Sequence, residues 1–136
     1  MFNIYYNFSY SDILTIIFIN FFIFTHTFAE WGFVTTLQDG KGTKVYIDAE
    51  TLRTDSNYSY IWVMHDLKVP FKDTKSSAMQ LQIDCKLMRF KTLQYVFYDG
   101  QMTKGKPTPY VRDVIKWKYA PPGAFNYNLM KGVCRN

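Results

Sequence analysis

At 136 residues and a formal charge of +5, the chain is too short for two domains with separate hydrophobic cores. Its 16 Lys and Arg permit attraction to acidic partners, yet no run of five like charges marks a disordered arm or a nucleic-acid tail. Aromatics make up 19% of the residues, which favours strands over helices, and the two cysteines form an even thiol count.

From Ile13 to Phe24 the chain is an almost unbroken apolar run, about a dozen residues long, which suits the core of a signal peptide better than a bilayer span. Thr27 and Ala29 are acceptable at a cleavage site and place the cut before Glu30, although residues 2–12 hold none of the Lys or Arg usual in a leader. The expectation is a signal peptide over 1–29 and a single β-rich domain over 30–136, exported and with no stable membrane span after cleavage. An oxidising destination makes Cys85 and Cys134 the two halves of one structural disulfide.

Trp31 to Leu37 reads as a first strand, and the Gly-rich stretch Asp39 to Gly42 as a tight connection to a second over Lys44 to Asp48. Ala49 to Thr54 reads as a short turn or a single helical turn, with a further turn at Asp55 to Asn57. Tyr58 to Leu67 alternates Tyr58, Tyr60, Trp62 and Met64 against Ile61, Val63, His65 and Leu67, two largely apolar faces that predict a central strand. Lys68 to Ser77, polar and containing Pro70, reads as an exposed loop. The next strand has a strict period of two: Met79, Leu81, Ile83, Cys85 and Leu87 point inward, while Gln80, Gln82, Asp84 and Lys86 form a wet face.

After a bend near Phe90 to Thr92, Leu93 to Tyr98 is a further strand ended by Asp99 and Gly100, and 101–113 reads as a long loop. Trp117 and Tyr119 suggest a last edge strand, which Pro121, Pro122 and Gly123 terminate. Phe125, Leu129, Met130 and Val133 then recur at helical spacing, with Asn126 as the expected cap. A helix of about nine residues is marginal alone. A Cys85 to Cys134 bond would lay it on the apolar face of the sheet.

Chemistry-bearing clusters are sparse. Behind the leader His65 is the single histidine, so a zinc or haem centre lacks convergent ligands, and no cofactor is expected. His65 and Asp66 are adjacent in a strand and face opposite ways, which disfavours an acid–base pair. Gly40 and Gly42 lack the strand–loop–helix frame of a phosphate loop. Lys86, Arg89, Lys91, Tyr95 and Tyr98 are the candidate binding surface, with Tyr and Arg as anchors and the cations steering approach. Export argues against nucleic acid as their target.

Several residue groups, in this order, resemble the bacterial surface-adhesin protein E family of small exported Gram-negative proteins. They are Trp31, Val45 to Asp48 with Leu52 and Arg53, Trp62 with Asp66, and Ser76 with Ser77. Asp84 to Lys86 follows, then Arg89 with Phe90, Leu93 with Tyr95 and Tyr98, Met102, Trp117, Pro121 to Gly123, and Val133 with Cys134. The resemblance implies an α+β fold: a mostly antiparallel sheet of about six strands with a C-terminal helix tied to it by the disulfide. It also implies a non-enzymatic adhesin, located in the periplasm or on the outer surface, that binds extracellular-matrix or envelope proteins and forms a homodimer. The alternative is a structural or accessory envelope protein with no external ligand.

Overall fold

The computed structural model describes residues 30–110 and 115–135, so the segment read as a leader lies outside it. Six strands form one antiparallel sheet in sequence order: β1 (Trp31–Thr36), β2 (Lys44–Asp55), β3 (Tyr58–Phe71), β4 (Thr74–Asp84), β5 (Arg89–Tyr98) and β6 (Pro107–Tyr110). A nine-residue helix, α1 (Phe125–Val133), follows. The meander arises because most connections are short and chemically closed. Between β1 and β2, Asp39 Oδ1 accepts the N–H groups of Lys41 at 2.8 Å and Gly42 at 3.0 Å, while Gly40 and Gly42 take φ of 71°.

Register divides the side chains between two faces. One face presents Val45, Ile61, Val63, Leu81, Ile83 and Phe90, and these pack with Met130 and Val133 of α1 into the core. Burying each of the two helix side chains contributes about 1.5–3 kcal/mol, which a helix this short needs. The Cys85–Cys134 disulfide, with Cα atoms 5.5 Å apart, fixes the end of α1 to the end of β4. Both the six-stranded antiparallel sheet and the tethered helix therefore follow the sequence reading.

Several boundaries differ. Residues 49–54 are not a separate turn: β2 runs through them, and its register with β3 slips between Asp48 and Arg53. Thr51 bridges the slip, its Oγ1 donating to the Asp48 carbonyl at 2.7 Å and accepting the Trp62 N–H at 3.3 Å. The 68–77 loop is instead a long hairpin arm, with β3 reaching Phe71, β4 starting at Thr74 and Lys72 at φ 52° in the tip. Within 101–113, Pro107 to Tyr110 forms β6, and because only Thr108 and Tyr110 retain N–H groups this strand is suited to an edge.

β4 ends at Asp84, so Leu87 lies in a turn and is 49% exposed rather than inward. The supposed wet face of β4 is not wet either: Gln82 and Asp84 are 8% and 4% exposed, held by Tyr60 and Arg89 respectively. Trp117 and Tyr119 form no edge strand, only the isolated bridge between Lys118 and Phe90. The helix starts one residue before Asn126, so its N-cap is Ala124 and no side chain caps it.

Candidate functional site

On the face opposite α1, β3 supplies Tyr58, Tyr60, Trp62 and Met64, β4 supplies Gln80, Gln82 and Asp84, and β5 supplies Arg89, Lys91 and Gln94. Half of this face is roofed by the loop joining β5 to β6. Met102 N–H donates to Asp66 Oδ1 at 2.8 Å, Thr103 N–H to Ser76 Oγ at 3.0 Å, and Ser76 Oγ–H to the Gly100 carbonyl at 2.6 Å. Ser76 is fully buried, so these bonds pin the loop firmly. The other half is a flat, partly exposed platform.

Its centre is Trp117, brought over the sheet by the Phe90–Lys118 bridge. The indole stacks on Tyr58 with ring centroids 5.7 Å apart, and the Arg89 guanidinium and Lys91 ammonium lie 4.5 and 4.6 Å from its ring centre. Arg53 sits 4.6 Å over the ring of Tyr60, whose hydroxyl accepts from Gln82 Nε2 at 3.2 Å. Gln94 Nε2 donates to Gln80 Oε1 at 3.3 Å. Each cation–π contact contributes about 0.5–1 kcal/mol at such part-exposed sites and fixes the direction of a side chain that would otherwise wander.

Asp84 anchors one corner. Its Oδ2 accepts from Arg89 Nε at 2.9 Å and its Oδ1 from the Leu87 N–H at 3.1 Å. Burial opposes charge on the carboxyl, but the Leu87 N–H and Arg89 outweigh it and hold Asp84 below the usual carboxylate range. Arg89 is raised in turn: burial works against its charge too, and the bond to Asp84 prevails.

The five candidate residues read from sequence are not gathered on one face. Arg89, Lys91 and Tyr98 lie on the platform side and Lys86 in the β4–β5 turn, whereas Tyr95 lies on the helix side. The cause is Leu93, an unpaired extra residue between Thr92 and Gln94 that reverses the alternation of β5. Tyr95 therefore stacks on Phe97 at 6.1 Å and donates to Thr92 Oγ1 at 3.3 Å. Trp117, Tyr58, Tyr60 and Arg53 were missed as a group, and only the alternation of Tyr58, Tyr60 and Trp62 hinted at them.

An open groove of about 790 Å³ lies on the other face, between α1 and the β1–β2 hairpin. Val34, Ile47, Leu52, Phe125 and Leu129 line it, with Thr36, Gln38 and Asn128 as polar points and no ionisable side chain. That is the lining of an apolar contact groove, and it offers no acid or base for catalysis.

A family model described as Surface-adhesin protein E matches residues 31–135. The chain belongs to the surface-adhesin protein E family. Solved structures share the fold at low identity. Protein E from non-typeable Haemophilus influenzae is 16% identical, with 81% of this chain and 80% of that chain covered and a TM-score of 0.63. A second crystal form of Haemophilus influenzae protein E is 16% identical, with coverage of 76% and 87% and a TM-score of 0.60. No curated protein matches by sequence. Family membership supports an adhesin-like role and export in a Gram-negative bacterium. Among the described residues no helix is long and apolar enough to cross a membrane.

Proposed function

We propose that this member of the adhesin E family is an exported, non-enzymatic recognition module that binds a protein partner, such as an extracellular-matrix or envelope protein, through the platform side of its sheet. The observation that carries the reading is the grouping of Tyr58, Tyr60, Trp62 and Trp117 with Arg53 and Arg89 on one flat surface. Trp, Tyr and Arg are the residues that most often dominate interface energetics, because each combines a large apolar plane with a polar end. The Tyr58–Trp117 stack and the contacts of Arg53 and Arg89 with Tyr60 and Trp117 order these side chains before a partner arrives and so reduce the entropy lost on binding.

The test has two arms. Protease added to intact cells is expected to remove the protein, whereas protection would favour the accessory envelope role. Alanine at Tyr60 or Trp62 should then weaken capture of an immobilised matrix protein by about 2 kcal/mol, roughly 30-fold, while Phe71→Ala on the distant hairpin arm leaves it unchanged. Equal effects at all three positions would remove the platform from the argument. The homodimer is a separate proposal, supported by the sheet edge at β1 that can pair with another chain, and light scattering at increasing concentration reads it directly.

A further inference from the structure

Two basic groups that are distant in sequence, Lys86 to Lys91 and Lys116 to Lys118, meet in the fold. The Phe90–Lys118 bridge lays the second against the start of β5. The Cys85–Cys134 bond carries Arg135 to the same end, and Arg53 reaches it on β2 opposite Tyr60. This pole thus holds seven of the fifteen Lys and Arg among the described residues (Arg53, Lys86, Arg89, Lys91, Lys116, Lys118 and Arg135). Of the nine described Asp and Glu it holds two, Asp55 and Asp84, and Asp84 is already paired with Arg89 at 2.9 Å. Elsewhere the described residues are nearly neutral, eight cations against seven acids.

Apolar side chains project from the same pole. Leu87 is 49% exposed at the β4–β5 turn, flanked by Lys86 and Arg89, and Tyr119 is 69% exposed beside Lys118. Protruding apolar groups within a ring of cations are the composition of a surface that sits in a lipid headgroup layer, where the cations meet phosphates and the apolar tips enter the acyl boundary. A purely polyanionic partner would use the cations but leave Leu87 and the Tyr119 ring in water. Trp117 does not alter the choice, because its ring already carries Arg89 and Lys91.

We propose that this pole docks the protein peripherally on a membrane surface rich in anionic phospholipid, with the sheet standing on end and the part of the platform around Trp62 left accessible. This goes beyond partner recognition; Arg53, Arg89 and Lys91 belong to both surfaces, so the variants that test it are placed at Lys86, Lys118, Arg135 and Leu87 and leave every platform side chain untouched.

The measurement is flotation of the disulfide-bonded chain, purified from an exporting host, with vesicles of phosphatidylcholine alone or of equimolar phosphatidylcholine and phosphatidylglycerol. Binding is expected to the anionic vesicles only. The triple change Lys86→Glu, Lys118→Glu, Arg135→Glu should weaken it by roughly 100-fold or more, and Leu87→Ser by roughly 10-fold. Lys41→Glu, Lys72→Glu, Lys75→Glu at the opposite pole makes the same change in net charge and should have a far smaller effect. Far-UV circular dichroism confirms that each variant is folded. Equal losses from both triples, or no binding to anionic vesicles, would overturn the proposal. Retention on a sulfated polysaccharide without vesicle binding would overturn it too, and would assign the pole to acidic glycans.

Discussion

His65 lies on the helix side of β3, opposite Val45 and Ser77, and is partly buried. Burial lowers its pKa below the ordinary 6.5, with Asp39 opposing the shift. Between that lowered value and 6.5 the unfolded chain binds more protons than the folded one, so stability rises with pH across this interval. The contribution is complete above pH 6.5 and is lost as pH falls through the folded value. Thermal melts between pH 7.5 and pH 5 should therefore show a decline that flattens in His65→Gln. Gly105 makes the opposite kind of demand, on backbone rather than charge. It has φ of 84°, and a Cβ there would strike the Asp99 carboxylate that accepts the Lys106 N–H at 2.8 Å. Gly105→Ala should cost about 1–3 kcal/mol by urea denaturation, since strain and displaced hydrogen bonding add.

At the scale of elements, α1 is held both by packing and by a covalent tie. Its N-terminus lacks a side-chain cap and only Met130 and Val133 are buried, so nine residues have little reason to stay helical unaided. The disulfide spans a sequence separation of 49, for which the chain-entropy treatment gives about 4 kcal/mol. Cys85→Ser with Cys134→Ser should lower unfolding free energy by about 2–5 kcal/mol and increase hydrogen exchange first in residues 125–134. The strands were legible because apolar alternation is strong in Ile61 to His65 and Met79 to Ile83. Their ends were less so: the hairpin arm from Lys68 to Ser77 is polar, and its pairing rests on backbone bonds between neighbouring strands, which leave no hydrophobic period to read.

For the whole molecule, charge and covalent topology make one argument. The disulfide and the Phe90–Lys118 bridge are both non-local, and together they draw the C-terminal segment over the end of the sheet where the basic residues collect. Export is the condition for that staple. Intact-mass analysis of the chain made in an exporting bacterium should give a protein beginning at Glu30 and two hydrogens lighter than after reduction. A chain retaining Met1 with two thiols would contradict both the leader and the oxidised state.

Composition, two-residue alternation and the placement of two cysteines were enough to determine a strand-dominated sheet, a short terminal helix and the bond joining them. These features depend on which residues can be buried and on local period, and both are written along the chain. Tertiary structure alone decided the candidate site. The single extra residue at Leu93 turns Tyr95 away from Arg89 and Lys91, and the bridge at Lys118 brings Trp117 to them instead. A bulge has no reliable mark in sequence, and a contact between positions almost thirty residues apart depends on how the intervening chain closes.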